Sequence, residues 1–132
     1  MSGTVLQPSG WSKPRGYSNG IVATGRMVFV AGQIGWNGDC QFESDDFVAQ
    51  TAQALRNVVA VLFEGEAHPE DIVRMTWYVT DREEYLRRGS EIGVVYREIM
   101  GKHYPVMTAV EVKGLMEARA KVEIEVTAVT PA

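Results

Sequence analysis

The run from Met27 to Gly35, MVFVAGQIG, constrains this chain more than any other segment. In a strand, Val28 and Val30 would face one side and Met27, Phe29 and Ala31 the other, so both faces are apolar. An antiparallel strand with one wet face alternates polar and apolar residues, and this one does not; it is expected to be covered on both sides. In a chain of 132 residues and 14.6 kDa, another subunit is one source of that cover. Gly32 and Gly35 bracket Gln33 and Ile34, where backbone can come close to a partner or a small ligand. The same pattern also fits a buried strand that ends in a turn.

Length and composition point to a single domain over residues 1–132, with 1–16 as an irregular N-terminal arm carrying Pro8, Gly10, Pro14 and Gly16. The net charge of -4 comes from interspersed Asp and Glu with no basic stripe, which argues against nucleic-acid or membrane-surface binding. Cys40 is the only cysteine, so neither an intramolecular disulfide nor a thiolate metal cluster can form within one chain, as suits a reducing compartment. No apolar run approaches the roughly 18 residues of a membrane span, and MSGTVLQPSGW lacks the charged-then-apolar order of a signal peptide. A cytoplasmic protein is the expectation.

Ile21 to Ala23 and Met27 to Ile34 flank Thr24-Gly25-Arg26 as a hairpin, and Asn37-Gly38-Asp39 turns the chain. From Asp46, the residues Phe47, Thr51, Leu55, Val58 and Leu62 recur at helical spacing behind Ser44, Asp45 and Asp46, and the helix should stop near Gly65. Ile72 to Thr80 is β-branched and aromatic, as a strand requires. Asp81 to Glu84 has the offset of a capping box, and Tyr85, Gly89, Ile92, Tyr96 and Ile99 give a second helix ending at Gly101. Two strands follow, Met107 to Val112 and about Arg119 to Val129. The order is ββαβαββ, an α+β domain with two helices on one face of a mixed sheet. In the last strand Val122, Ile124, Val126 and Ala128 should meet the helices. The same parity places Met107, Ala109, Glu111, Arg74, Thr76 and Tyr78 on the other face.

Gly16-Tyr17-Ser18, Ala31-Gly32-Gln33-Ile34-Gly35, Gln50 with Ala54 to Val58, Asp71-Ile72-Val73, Pro105 opening a strand and Val122-Glu123-Ile124-Glu125 occur in that order. Their combination resembles the reactive-intermediate deaminase family, also called the Rid or YjgF-like family, over about Gly16 to Val129. The resemblance implies a chorismate-mutase-like fold assembled as a homotrimer with ligand clefts between subunits. It also implies hydrolysis of imines or enamines to carbonyl compounds and ammonia without metal or organic cofactor. Carried over residue by residue, Glu123 corresponds to the carboxylate that holds the attacking water, Tyr17 to a cleft tyrosine, and Gly32 and Ile34 to the backbone lining. The arginine that grips a substrate carboxylate in the best-known branch is absent: Pro105-Val106-Met107-Thr108 puts Met107 there, with Ala109 two places on.

A thioether donates nothing and cannot replace a guanidinium fork. Three possibilities stand: a substrate without that carboxylate, another cation in its place among Lys13, Arg15, Arg74, Arg119 and Lys121, or no chemistry. The leading function is therefore an imine or enamine deaminase for a substrate other than simple 2-imino acids. A non-catalytic trimer that binds a small metabolite or a protein is the alternative. The alternative for Glu123 is a carboxylate on the outer sheet face paired with Lys121 or Arg119 across the trimer. Trp11 and Trp36 could wall an apolar pocket or pack the arm on the body. His68 and His103 have no spaced partner ligands, so no metal site is expected, and Cys40 reads as a loop residue.

Overall fold

The computed structural model describes residues 3–132. Strands β1 (Gly3–Leu6) and β2 (Gly20–Ala23) pair antiparallel as a separate two-stranded ribbon. Strand β3 (Arg26–Ile34) leads into helix α1 (Phe47–Glu64); strand β4 (Ile72–Val79) precedes helices α2 (Arg82–Arg87) and α3 (Gly89–Met100); strands β5 (Val106–Glu111) and β6 (Val122–Thr130) complete the chain. The main sheet has the order β3-β6-β4-β5, with β6 antiparallel to both neighbours and β4 parallel to β5. The fold is a mixed α+β one.

Three local expectations change. The arm is not wholly irregular, because Gly3 to Leu6 form β1. Nor do β2 and β3 form a hairpin: β2 turns to β1 instead, and Gly25 between them sits at φ 145, a backbone that favours glycine. The second helix is broken at Arg88, whose φ of -101 and ψ of 21 leave the helical range and divide it into α2 and α3.

Helix α1 begins and ends where its sequence signals lie. Asp46 caps it by accepting from the Ala49 N–H at 3.0 Å, and Gly65 closes it with its own N–H on Leu62 O. Its inner face, Leu55, Val58 and Leu62, has no exposure and packs on Ile72, Met75, Val122 and Ile124 of the sheet. On the opposite face of β3, Met27 is 56% and Phe29 69% exposed, so one chain covers only one side of that strand. The buried Gln50 amide donates to Ser44 O and Arg119 O and accepts from the Lys121 N–H at 2.9 Å, tying α1 to the residues just before β6. No helix among the described residues is long and apolar enough to cross a membrane.

Arg88 stands at this break and links both helices to α1. Its guanidinium reaches Asp46 at 2.7 Å and Glu91 at 2.8 Å, fastening the start of α3 to the start of α1. The Arg88 hydrogen bonds hold both carboxyls below their ordinary values of 3.8 and 4.5. Their stabilising contribution is thus present above those values and is lost as pH falls through the lower folded ones. Asp46→Asn, which keeps a capping oxygen, should flatten the fall of melting temperature below about pH 4. Asp46→Ala should cost about 1 kcal/mol more through the lost cap, read by urea denaturation at neutral pH.

Candidate functional site

Glu123 lies on β6 between Val122 and Ile124, which have no exposure, so its side chain leaves the sheet on the face away from the helices. In register it stands opposite Ile34 of β3 and Tyr78 of β4. The β3–β6 register shifts between Val30 and Gln33, and Gly32 sits in that irregularity. A Cβ at Gly32 would collide with Glu123 Oε2 and stand 2.8 Å from Cδ, so the glycine is what lets the carboxylate lie against the strand backbone. Gly35 makes room for a helix instead, since a Cβ there would lie 2.7 Å from Gln50 Cα and hold α1 away from the strand.

Among the described residues the Glu123 carboxylate accepts no hydrogen bond and forms no ion pair. Arg119 is instead 2.9 Å from Asp45 and lies 5.2 Å over the Phe42 ring, so it does not pair with Glu123 of its own chain. Glu125, two residues on, is committed: it accepts from Tyr78 Oη at 2.9 Å, and that bond raises the Tyr78 hydroxyl above its ordinary value. The outer face thus holds one engaged carboxylate and one free to take a water. Arg74 and Thr76 lie on this face with Glu125, around a depression also lined by Phe29.

Met107 is not there. The parallel register sets Met107 opposite Met75, Ala109 opposite Trp77 and Glu111 opposite Val79, and all three β4 partners are buried on the helix side. Met107 packs against that core, the reverse of the face expected for it and for Ala109 and Glu111. The parity of one strand does not transfer to another without the register between them. With Met75 opposite Val126, Met107 lies two strands, about 10 Å, across from Glu123 and about 10 Å along the sheet, on the opposite face.

Met107 instead lines a pocket of about 270 Å³ between α3 and the start of β5, with Trp77, Tyr85, Tyr96 and Tyr104 as aromatic walls and Arg15 and Arg97 at its edge. Tyr96 and Tyr104 stack at 5.7 Å, and Tyr96 donates to His103 O at 2.7 Å. Burial raises the Tyr85 and Tyr96 hydroxyls, which therefore stay protonated at neutral pH. Trp77 meets Tyr85 edge-on, and its buried indole N–H has no hydrogen-bond acceptor. Tyr17, 42% exposed, belongs to this side, because the next residue, Ser18, bridges to Val106 and donates through Oγ to Tyr104 O at 2.6 Å. The candidate residues therefore form two groups, Glu123 with Gly32 and Ile34, and Met107 with Ala109 and Tyr17.

Of the five cations that the sequence offers in place of the arginine, only Arg15 lines the Met107 pocket. Sequence reasoning misses Arg97, Trp77 and the tyrosines of its wall; the spacing Tyr85, Gly89, Ile92, Tyr96 carries their signal but reads equally as core. Trp36 packs against Phe42 at 5.8 Å, whereas Trp11 is 63% exposed and does not pack the arm on the body of its own chain. His103 Nε2 lies 2.7 Å from Ile72 O, and the described residues contain no cluster of potential metal ligands.

Comparison with known proteins agrees with this architecture. A family model described as endoribonuclease L-PSP matches residues 12–130. A RutC family protein of Aquifex aeolicus is 33% identical over 115 residues, covering 86% of this chain and 87% of the relative. A protein of Escherichia coli named as a reactive intermediate deaminase, TdcF, is 32% identical over 114 residues, covering 84% of each. The crystal structure of the Rid family protein YyfB of Yersinia pestis superposes with a TM-score of 0.87 at 28% identity, covering 98% of this chain and all of the other. The chain belongs to this L-PSP family, the Rid or YjgF-like proteins.

The contact between Gly32 and Glu123 can be measured as a coupling. Gly32→Ala should displace the carboxylate and lower stability, whereas in a Glu123→Ala background the same change should cost little. A double-mutant cycle should give a coupling of about 0.5–3 kcal/mol, and strict additivity would mean that the two groups do not touch in solution.

Proposed function

We propose that the protein is a cofactor-independent hydrolase of imines or their enamine tautomers, working in clefts between copies of the chain in a homotrimer. The observation that carries this is the Glu123 carboxylate, unpartnered among the described residues and seated on the Gly32 backbone. Such a group can accept a proton from a bound water as that water attacks the C=N carbon. The proton passes to nitrogen, the C–N bond breaks, and the products are a carbonyl compound and ammonia. The relative named as a reactive intermediate deaminase supports this class of reaction.

The homotrimer rests on two observations. Met27 and Phe29 stay exposed on an otherwise apolar strand. Glu123 and Met107 also lie on opposite faces of one sheet, so a cleft that uses both must take them from different chains. Met107 cannot grip a carboxylate, which favours a substrate other than simple 2-imino acids and also keeps open the second reading, a trimer that only binds a small metabolite or a partner protein.

Light scattering should give about three times the 14.6 kDa chain mass, and a monodisperse monomer at micromolar concentration would remove the shared cleft. Glu123→Gln should keep the assembly and reduce imine hydrolysis by about 10²–10⁴-fold. Imines are generated in situ by an amino-acid oxidase and ammonia release is followed. Unchanged turnover in the variant would make Glu123 structural, and no turnover of any imine by the wild type would favour the binding reading.

A further inference from the structure

We propose that the solvent face of α1 is a self-complementary docking surface, on which a second copy of this chain lays its own α1 antiparallel about Ala60, with Arg56 of each copy meeting the partner's Glu64. This does not rest on the deaminase reading. It concerns the side of the domain opposite Met27 and Phe29, the residues that the homotrimer would cover.

A surface helix ordinarily carries one apolar stripe, and α1 carries two. Leu55, Val58 and Leu62 take the first into the core with no exposure. The second points to solvent: Arg56, Val59, Ala60, Phe63 and Glu64 recur at the i, i+3, i+4, i+7, i+8 spacing of one helix face. With Ile99 of α3 beside them, they line an open groove on the helix layer. Phe63 is 67% exposed there, a large ring left in water. Ala60 is exposed at the centre of the stripe, where a one-carbon side chain lets a second helix come close.

The charges at the ends of the stripe select the occupant. Arg56 and Glu64 stand four residues to either side of Ala60, about 6 Å along the helix axis in each direction. Neither forms a hydrogen bond or ion pair with a described residue; Arg56 also borders a hollow with Glu43 but lies outside ion-pair distance of it. A groove with one cation and one anion equidistant from its middle is complementary to itself under a twofold axis, because an antiparallel copy presents Glu64 where the first presents Arg56. The same operation sets Phe63 of each copy beside the partner's Val59 and the stem of the partner's Arg56. A partner of uniform charge would satisfy one end of the groove and oppose the other. One helix against one helix lies at the low end of interface sizes, below about 1,200 Å² in all, so the pairing is weak and reversible and shows at high chain concentration.

The test is sedimentation velocity on the full chain from micromolar to near-millimolar concentration. The weight-average mass of the wild type should rise above that of Phe63→Glu, which should weaken the pairing at least about tenfold and stay at the mass of the underlying assembly, monomer or trimer. Arg56→Glu alone and Glu64→Arg alone should each suppress the rise, because each sets like charges together at both ends of the contact. An equal mixture of these two variants should recover it, as should the double variant Arg56→Glu/Glu64→Arg, since each restores an opposite pair at both ends. All three side chains are exposed, and unchanged melting temperatures check that the fold is kept. A wild-type mass equal to that of Phe63→Glu across the range overturns the second copy as occupant. So does a loss in the single charge variants that neither the mixture nor the double variant reverses.

Discussion

The structure depends on the alternation of its last strand. Strand β6 lies inside the sheet, bonded to β3 on one side and β4 on the other, so the sheet cannot close until the end of the chain has joined it. Val122, Ile124, Val126 and Ala128 supply the floor on which α1 packs, and Glu123, Glu125 and Thr127 supply the opposite surface. A slip of one residue would bury two carboxylates and expose four core side chains, which fixes the register strongly. The candidate carboxylate is thus placed by the same alternation that builds the core.

That placement needs two further supports, both far away in sequence. Gln50 holds the loop before β6 through Arg119 O and the Lys121 N–H, and Gly35 allows α1 to come close enough for Gln50 to do so. Arg88 then ties α3 to the α1 N-terminus through Asp46, which sets the far wall of the Met107 pocket relative to the sheet. Charge and close packing act here as spacers between elements whose own cores are already satisfied.

Features written in neighbouring residues are legible from the sequence. The limits of α1 follow from Asp46 and Gly65, the faces of β6 from strict period two, and the order of the helices and main-sheet strands from the spacing of these signals. What is not legible depends on partners. β1 is only four residues long, followed by Pro8, and carries no signal until β2 is seen to pair with it. The α2–α3 break at Arg88 is only faintly announced by Gly89, because one of the carboxylates that Arg88 pairs with there, Asp46, comes from the start of α1. Giving β5 the phase of β6 puts Met107 on the wrong face, because the phase of β5 is set by its parallel register with β4. In the candidate site, Glu123 and Gly32 are readable as motif residues, but the Arg97 and Tyr85 walls are not, since only folding brings them to Met107.

The division of the candidate residues between two faces bears on how such a chain can change its substrate. A carboxylate on the outer face and a pocket on the helix side cannot constrain each other within one chain; their relative position would be set by how two copies dock. Substitutions in the pocket wall, such as methionine for arginine at position 107, would then leave the geometry around Glu123 untouched. The wall could change while the Glu123 carboxylate, seated by Gly32 and the β6 register, stays in place. One fold can in this way carry a constant carboxylate with a variable wall, and the change falls on Met107 of the edge strand β5, because Trp77, Ile92 and Tyr96 of the same wall belong to the core.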